Sequence, residues 1–257
     1  MKDLKGKTVF ITGATSGIGK SAAYKFAELG ANLILAARRT DRLEEISSDI
    51  MSEYSVKVFT VEMDVRNYDE VKSKIESVSG EWKNIDILVN NAGLARGLSK
   101  IHEGSVKDWN EMIDTNVKGL LFVSRCIIPL MLKNNSGHII NIGSIAGREV
   151  YPMGNVYCAT KHAVDAITKS MRMELVDTGI KVTTIDPGLV ETEFGLVRYR
   201  GDAEKAKTAY TGMEPLTPDD VAETIIFAAT RRENFVIAEM VLLPKAQAST
   251  MVIKRDV

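Results

Sequence analysis

Short runs of β-branched and aliphatic residues alternate along the chain with longer stretches in which apolar residues recur every three to four positions. The short runs are typical of strands buried on both faces, and the longer stretches are typical of amphipathic helices. The predicted strands are Thr8–Thr12, Asn32–Ala36, Val56–Val61, Ile85–Val89, His138–Gly143, Val182–Ile185 and Phe235–Leu242. The predicted helices are Ile18–Leu29, Arg42–Glu53, Tyr68–Val78, Val106–Lys133, Val156–Thr178 and Thr217–Thr230. This alternation predicts an α/β fold, a doubly wound parallel sheet of about seven strands with helices on both faces.

The chain shows no internal boundary. No linker rich in Pro, Ser or Gly divides it, and no repeat is visible, so we predict that residues 1–257 form a single domain. One polar stretch, at about residues 191–213, breaks the alternation just after a strand and a Pro-Gly pair. Because such excursions commonly cover a ligand site, we predict that this stretch is a substrate lid.

Composition and charge narrow the possible partners. Lys and Arg total 33 and Asp and Glu total 34, a formal net charge of −1, so bulk charge selects neither nucleic acid nor an anionic membrane. Charged residues and Pro129 interrupt the longest apolar stretch, Val117–Leu132, and the first residues are too briefly apolar for a signal peptide. Two isolated cysteines, Cys126 and Cys158, predict neither disulfides nor a metal site. We therefore expect a cytoplasmic protein that binds no metal, nucleic acid or membrane.

Three glycines, Gly13, Gly17 and Gly19, lie between the first strand and the first helix. Glycines at this point let the backbone turn sharply and bring free N–H groups at a helix N-terminus close to a phosphate. The segment Ala14–Ser21 also fits a relaxed form of the phosphate-loop pattern of nucleoside triphosphatases. In this segment alanine replaces the first glycine of the pattern, and no strand clearly ends in a magnesium-binding acid. A third interpretation is a tight turn without a ligand.

The end of the second strand favours the dinucleotide interpretation. An acid at this position accepts hydrogen bonds from the ribose hydroxyls of NAD, whereas arginine accommodates the 2′-phosphate of NADP. Here Ala37 stands where the acid is expected, and Arg38 and Arg39 follow it. Guanidinium groups suit a phosphate, so this position predicts NADP(H) as the cofactor.

Candidate chemistry gathers at the same edge of the predicted sheet. The fourth strand leads into the sequence NNAG, and the fifth strand ends at Ser144. The next helix carries Tyr157 and Lys161 at positions i and i+4, on one face of the helix. A free tyrosine has a pKa of about 10, and a nearby ammonium group favours its phenolate. The residues therefore suit proton exchange between Tyr157 and an alcohol or carbonyl oxygen that Ser144 polarises, with hydride carried by the cofactor.

The three histidines carry no catalytic pattern. His162 follows Lys161 and so points about 100° away from it around the helix, and His102 lies in a polar loop. His138 opens a strand, and we interpret it as a capping or surface residue.

The motifs TGATSGIG, NNAG, IDTN, YCATK and DPGLVET, with Ser144 between them, occur in the order and at the spacing of one family, so the whole chain resembles the short-chain dehydrogenases/reductases. The resemblance implies a Rossmann-type fold, an NADP-dependent oxidoreductase acting on CH–OH groups, and a homotetramer. It implies the catalytic residues Asn116, Ser144, Tyr157 and Lys161, with Asn116 bending its helix to support a proton relay through Lys161. The resemblance, together with the argument for Arg38 and Arg39, gives a set of predicted cofactor-binding residues. They are Gly13, Thr15, Ser16, Gly17, Ile18, Gly19, Arg38, Arg39, Asp64, Val65, Asn91, Ala92, Gly93, Tyr157, Lys161, Pro187, Gly188, Val190 and Thr192.

Longer stretches, among them HIINIGSIAGRE and PGLVETEFGLVRYRGD, resemble the 3-hydroxy acid (serine or L-allo-threonine) dehydrogenases of this family. This implies oxidation of the β-hydroxyl of L-serine, L-allo-threonine or 3-hydroxyisobutyrate, or reduction of the corresponding 3-oxo acids. A carboxylate substrate requires a cation near Ser144 or the lid, and Arg148, Arg198 and Arg200 are the candidates, each of which could instead form a lid salt bridge or a subunit contact. The alternatives are a reductase of another ketone, aldehyde or 3-oxoacyl substrate, and a non-catalytic NADP sensor.

Overall fold

Seven parallel strands form one sheet in the computed structural model, which describes residues 3–256. Met1, Lys2 and Val257, which belong to the predicted domain, lie outside the described residues. The strands are β1 Thr8–Thr12, β2 Asn32–Ala37, β3 Val58–Glu62, β4 Ile87–Asn90, β5 Gly137–Ile142, β6 Ile180–Pro187 and β7 Glu239–Leu242. Their order across the sheet is β3-β2-β1-β4-β5-β6-β7, as expected for a Rossmann-type fold. The order reverses between β1 and β4, where open α/β sheets bind ligands.

Helices cover both faces of the sheet. They are α1 Gly17–Glu28, α2 Thr40–Glu53, α3 Tyr68–Ser77, α4 Val106–Ile113, α5 Leu120–Lys133, α6 Asn155–Glu174, α7 Phe194–Arg198, α8 Ala203–Thr208 and α9 Pro218–Ala229. Helix α9 begins as the sequence predicts, with Pro218 in its first turn. The Thr217 hydroxyl accepts from the backbone N–H of Asp220, whose carboxylate accepts from the backbone N–H of Thr217. This reciprocal capping fixes the start of the helix.

Two apolar layers hold the helices to the sheet. Successive side chains of a strand point to opposite faces, so Val9 and Ile11 of β1 join the layer that contains Phe26 of α1, whereas Phe10 joins the layer that contains Ile127 of α5. All five side chains are buried. The strand β1 is therefore covered on both faces, which explains its continuous apolar sequence.

The predicted helix Val106–Lys133 is interrupted in the structure. Between α4 and α5 the segment Asp114–Gly119 is π-helical. A π-helical turn inserts an extra residue into the helical repeat and occurs frequently at functional sites. Asn116, one of the predicted catalytic residues, lies in this turn.

The same stretch, Val106–Lys133, is long and apolar enough by length and composition to span a membrane, contrary to our expectation from its charged residues. Its apolar side chains nevertheless contribute to the core: Leu120, Val123, Ile127 and Met131 are all buried in the layer beneath α3 and α6. The core helix of a water-soluble protein meets the same criterion, so the composition of this helix is explained by its packing.

The last strand is shorter than predicted. β7 begins at Glu239, which pairs with Thr184 of β6, whereas Phe235 and Val236 precede the strand and are partly exposed. The segment 191–213 contains the short helices α7 and α8, and the bridge between Val190 and Leu216 joins its two ends.

His138 is buried, so its interpretation as a surface residue is wrong. It lies near the start of β5, which β4 and β6 flank on both sides. Its Nε2 lies 2.8 Å from Thr183 Oγ1, and its Nδ1 has no hydrogen-bond partner. Burial lowers the pKa of its imidazole from 6.5 to about 3, and the charge of Lys181 acts in the same direction.

Candidate active site

A cavity of about 480 Å³ lies at the carboxyl ends of the strands and is within the size range of small-molecule sites. Its wall includes the predicted cofactor residues Gly13, Thr15, Ser16, Gly17, Ile18, Arg38, Arg39, Asp64, Val65, Asn91, Ala92, Gly93, Tyr157, Lys161, Pro187, Gly188, Val190 and Thr192. Gly19 does not line the cavity. A Cβ atom there would lie 2.5 Å from the carbonyl oxygen of Gly13, so glycine lets α1 approach the preceding loop. All the predicted cofactor-binding residues except Gly19 therefore line one cavity.

The N-terminus of α1 faces this cavity without a side-chain cap. Ser16 makes no capping hydrogen bond, and the first turn of α1 contains no acid. Gly17 adopts a φ of +51°, which favours glycine over residues with a side chain. The free N–H groups and the positive end of the helix dipole suit an anion such as a pyrophosphate.

The other interpretation of the glycine loop, a phosphate loop, requires Lys20 and Ser21 to face the ligand. Neither lines the cavity. The Lys20 ammonium lies 5.9 Å from the centre of the Tyr24 ring, and the Ser21 hydroxyl donates to Asp219. The positions of Lys20 and Ser21 therefore do not support a nucleoside triphosphatase.

Arg38 and Arg39 line one end of the cavity, as the NADP prediction requires. The Nε and Nη2 atoms of Arg39 donate to Thr15 Oγ1 at 3.2 and 3.0 Å, and Nη2 also donates to Ser16 Oγ at 3.0 Å. Its Nη1 donates to Glu193 at 3.0 Å. Hydroxyl groups and guanidinium groups both donate to phosphate oxygens, so this end fits a 2′-phosphate.

Asp64, also predicted to bind the cofactor, lines the same cavity near Arg38. Its carboxylate accepts from Nε of Arg66 at 3.0 Å. Burial raises the pKa of this carboxyl group, but the hydrogen bonds and the charge of Arg66 outweigh burial and hold the pKa below 3.8. Asp64 is therefore an ionised acceptor at neutral pH.

Ser144 and Tyr157 line the cavity together. Ser144 precedes a short 3-10 helix, Ile145–Gly147, and its hydroxyl accepts from the backbone N–H of Ala146 at 3.1 Å. It also donates to the carbonyl oxygen of Pro187 at 3.4 Å, and it lies close enough to the Tyr157 hydroxyl to lower the pKa of that phenol. The two hydroxyl groups can therefore contact one substrate oxygen.

Burial raises the pKa of the Tyr157 phenol above its ordinary value, and Tyr151 acts in the same direction. Arg198 and the nearby Ser144 hydroxyl lower it, without reversing the effect of burial. Tyr157 is consequently protonated at neutral pH in this structure and is placed to donate a proton.

Lys161 lies one helical turn after Tyr157, and its Nζ donates to the carbonyl oxygen of Ile142 at 2.9 Å. Burial lowers the pKa of Lys161 to about 8, and Asp186 opposes this effect. The side chain is therefore mainly an ammonium group at neutral pH, with a pKa close enough to neutrality for proton exchange. The sequence predicts that the Lys161 ammonium favours the Tyr157 phenolate, but the cation that lowers the pKa of Tyr157 in this structure is Arg198.

Asn116 lies behind the cavity wall. Its Nδ2 donates to the carbonyl oxygen of Leu94 at 2.8 Å and to Thr160 Oγ1 at 3.0 Å, and its Oδ1 accepts from the backbone N–H of Leu94. A Cβ atom on Gly93 would lie 3.4 Å from Asn116 Oδ1 and 3.7 Å from Lys161 Nζ. Asn116 therefore joins the loop after β4 to α6, close to Lys161.

The three arginines predicted to bind a substrate carboxylate have different surroundings. Arg148 lies outside the cavity, where its Nη2 donates to Asp186 and to Glu239, both at 2.6 Å. Arg200 also lies outside the cavity and pairs with Asp108. The prediction that Arg148 contacts the substrate is therefore corrected, because both of its partners are carboxylates of the protein itself.

Arg198 does line the cavity. Its Nη2 donates to the Tyr151 hydroxyl at 2.7 Å, and its guanidinium carbon lies 5.2 Å from the centre of the Tyr157 ring. Its Nε is sealed from solvent and has no hydrogen-bond partner. Within residues 3–256, Arg198 forms no salt bridge with a carboxylate.

Several wall residues were not predicted from the sequence. Tyr151 hydrogen-bonds Arg198, and Phe194 packs edge-on against Tyr157 with ring centres 5.6 Å apart. Both are aromatic residues close in sequence to the motifs. That position is the one sequence feature from which their place in the cavity wall could have been predicted. The others include Glu193, Gln247, Thr250 and Ile253.

The family model described as short chain dehydrogenase matches residues 7–200. The chain belongs to this family. It is 48% identical, over 96% of both chains, to the NADP-dependent 3-hydroxy acid dehydrogenase of Schizosaccharomyces pombe. It is also 40% identical, over 96% of its length and 98% of the relative, to sulfoacetaldehyde reductase 2 of Chromohalobacter salexigens. The closed form of a serine dehydrogenase complexed with NADP+ superposes with a TM-score of 0.90 at 40% identity, covering 97% of this chain and 100% of that chain.

This short-chain dehydrogenase is an NADP-dependent oxidoreductase. The cavity fits the cofactor on its own chemistry, because the uncapped N-terminus of α1 suits the pyrophosphate and Arg38 and Arg39 suit the 2′-phosphate. When bound, NADP accepts hydride from an alcohol carbon, and NADPH returns hydride to a carbonyl carbon.

Proposed function

We propose that this short-chain dehydrogenase oxidises the β-hydroxyl of small 3-hydroxy acids, with L-serine, L-allo-threonine and 3-hydroxyisobutyrate as candidates, or reduces the corresponding 3-oxo acids. The observation that supports this proposal is the environment of Arg198. Its guanidinium faces the cavity beside Tyr157 and pairs with no carboxylate in the part of the chain that the structure describes.

A partly buried cation without an acid partner has lost much of its hydration and gained no compensating charge. An anionic group on the ligand removes this cost, and a planar carboxylate matches the guanidinium with two parallel hydrogen bonds. Because Arg198 lies next to the Tyr157 ring, the acid group of the substrate must be close to the reacting oxygen. A 3-hydroxy acid, in which one carbon separates the carboxylate from the alcohol carbon, meets this requirement.

The roles of the other side chains follow from their positions. Ser144 and Tyr157, which both line the cavity, hold the substrate oxygen. Tyr157 passes a proton to that oxygen in reduction and takes one from it in oxidation. Lys161, with a pKa lowered to about 8 by burial, exchanges a proton near neutral pH one helical turn from Tyr157.

The raised pKa of Tyr157 favours proton donation at neutral pH. We therefore propose that reduction of the 3-oxo acid proceeds readily at neutral pH, whereas oxidation of the hydroxy acid becomes faster as the pH rises. In oxidation Tyr157 must act as a base, which requires its phenolate.

A second candidate substrate is a sulfonate. One relative carries the name sulfoacetaldehyde reductase 2. In sulfoacetaldehyde, as in a 3-oxo acid, one carbon separates the acid group from the carbonyl carbon. Arg198 can pair with either acid, so the chemistry of the guanidinium alone admits both.

We also propose that the protein is a homotetramer, on the basis of two apolar surfaces. One carries Leu121 and Leu132 of α5, and the other carries Phe227 of α9 and Val241 of β7; all four side chains are more than one-third exposed. Exposed apolar surfaces mark association sites, and two different ones allow a dimer of dimers. Sedimentation equilibrium will test this, and a monomer at micromolar concentration contradicts it.

The function is tested by the change in absorbance at the nicotinamide band. The purified protein is mixed with NADP or NAD and each of L-serine, L-allo-threonine, 3-hydroxyisobutyrate and simple secondary alcohols, and with NADPH and sulfoacetaldehyde. We expect reduction of NADP by at least one hydroxy acid and little reaction with NAD.

A Tyr157→Phe variant serves as the control, since it should bind NADPH without turnover. Turnover of neutral alcohols but of no acid would discard the substrate class.

A further inference from the structure

Glu193, near the start of the predicted lid, connects the lid to the opposite side of the cavity. Its carboxylate accepts from Nη1 of Arg42 at 2.7 and 3.0 Å, one distance for each oxygen. It also accepts from Nη1 of Arg39 at 3.0 Å. Arg39 lines the cavity, whereas Arg42 lies on α2 outside it. One lid carboxylate thus joins a residue of the cofactor site to a residue outside that site.

The contact lies where the lid meets the cofactor site. The lid residues Thr192, Phe194 and Tyr210 line the cavity. A Cβ atom on Gly17 of the glycine loop would lie 3.1 Å from the Thr192 side chain, so the lid already touches that loop. The ion pair of Glu193 with Arg42 adds a contact between the lid and α2.

The charges allow Glu193 and a 2′-phosphate to be present together. Arg38, Arg39 and Arg42 provide three positive charges, and Glu193 provides one negative charge. A phosphate monoester adds roughly two negative charges, which balances the cluster. In addition, Arg39 donates to Thr15 and Ser16 through Nε and Nη2, and it donates to Glu193 through a different nitrogen, Nη1. Glu193 therefore need not leave when the phosphate binds.

We propose that Glu193 and Arg42 form a clasp that holds the lid closed over bound NADP and so prolongs the residence of the cofactor. The clasp acts on the lid and not on the chemistry, so Arg42 is a positioning residue. The proposal rests on the use of NADP and is independent of which substrate the enzyme takes.

The first test is the Arg42→Met variant, because Arg42 does not line the cavity and its loss removes no wall residue. NADPH is displaced by excess NADP in a stopped-flow instrument while its fluorescence is followed. A partly exposed ion pair in a charge cluster contributes modestly, so we expect the dissociation rate to rise about fivefold with an association rate changed by less than about twofold. Glu193→Gln should give a similar result, and it keeps the experiment valid if Arg42→Met does not fold.

The second readout is amide hydrogen exchange in residues 191–213 of the NADPH complex. Both variants should exchange faster in this segment than the wild type, with the strands unchanged. The matched control is Glu204→Gln, which makes the same change in the same lid at a carboxylate that pairs with Lys207 and not with Arg39 or Arg42.

Two results would overturn the proposal. If Glu193→Gln binds adenosine 2′,5′-bisphosphate more tightly and releases NADPH more slowly, Glu193 competes with the phosphate instead of closing over it. If both variants match the wild type in dissociation rate and lid exchange, the contact is an ordinary surface ion pair. In either case the family and its use of NADP stand.

Discussion

Arg148 and Arg198 lie in opposite surroundings, although the sequence makes them equal candidates for one role. Arg148 pairs with Asp186 and Glu239 and lies outside the cavity. Arg198 lines the cavity, hydrogen-bonds a tyrosine and pairs with no carboxylate of residues 3–256. A guanidinium that is neutralised by acids of the protein supports the fold, whereas one without such acids is available to an anionic ligand.

The position of Arg148 explains its structural role. It ends the short segment that follows Ser144, and its Nε and Nη2 bind Asp186 of β6 at 2.9 and 2.6 Å. Asp186 is also close to the end of β5, because its carboxylate occupies the space where a Cβ atom of Gly143 would lie. The ion pair therefore holds the Ser144 segment against β6.

The largest expected effect is the loss of activity on acid substrates in the Arg198→Met variant. Loss of a charge partner in a partly desolvated site costs about 2 to 5 kcal/mol, so kcat/KM for the preferred 3-hydroxy acid should fall about 30- to 5000-fold. NADPH affinity should be unchanged, as measured by fluorescence titration. Arg148→Met is the control, and its KM should stay within about threefold of the wild type. Equal losses of substrate affinity in both variants would remove the distinction between the two arginines.

A smaller effect is expected on stability when Arg148 is replaced. Arg148→Met leaves Asp186, which is almost inaccessible to solvent, without its cation. Leaving a buried charge unpaired costs about 3 kcal/mol, so the urea midpoint of unfolding should fall. Adding Asp186→Asn should recover part of this loss. A double variant less stable than Arg148→Met alone would show that the pair is not the source of the effect.

The smallest predicted effect concerns His138, which is also buried and incompletely paired but lies far from the cavity in β5. The folded protein keeps its imidazole neutral down to a pKa of about 3, whereas in the unfolded chain it is protonated near 6.5. The unfolded state therefore binds the additional proton, and the stability that is present above pH 6.5 is lost as the pH falls toward 3.

Between pH 8 and pH 5 this linkage amounts to about 2 kcal/mol of unfolding free energy. His138→Gln should flatten the pH dependence by that amount in urea titrations. His102→Gln, at a histidine that is exposed to solvent, supplies the control variant. A wild-type and a His138→Gln curve of the same slope would contradict the linkage.

Much of the fold was predictable because the strands are short apolar runs between amphipathic helices. Most predicted strand ends lie within one or two residues of the observed ones, as in β1 and β2. The cavity was predictable because the motifs follow strands whose carboxyl ends meet at one edge. No apolar pattern in the helix Val106–Lys133 marks the π-helical turn at Asn116, and only the family resemblance implies a bend at that residue.

The ion-pair partners of the charged residues could not be predicted from the sequence either. Arg148 pairs with acids 38 and 91 positions away, and Arg42 pairs with Glu193 at a distance of 151 positions. Nothing local distinguishes Arg148 from Arg198, so only the folded chain shows which of them is neutralised. The burial of His138 was missed for a related reason: its strand lies between two others, and even its first residues are covered.

The most direct test of the account compares 3-hydroxyisobutyrate with its methyl ester as substrates of the wild-type enzyme with NADP. The two differ at the group that Arg198 is proposed to bind and share the reacting alcohol. We predict that kcat/KM for the acid exceeds that for the ester by about 100-fold, the value of one desolvated charge pair. An ester oxidised as efficiently as the acid, or more so, would contradict the assignment of Arg198 as the anchor of an anionic substrate.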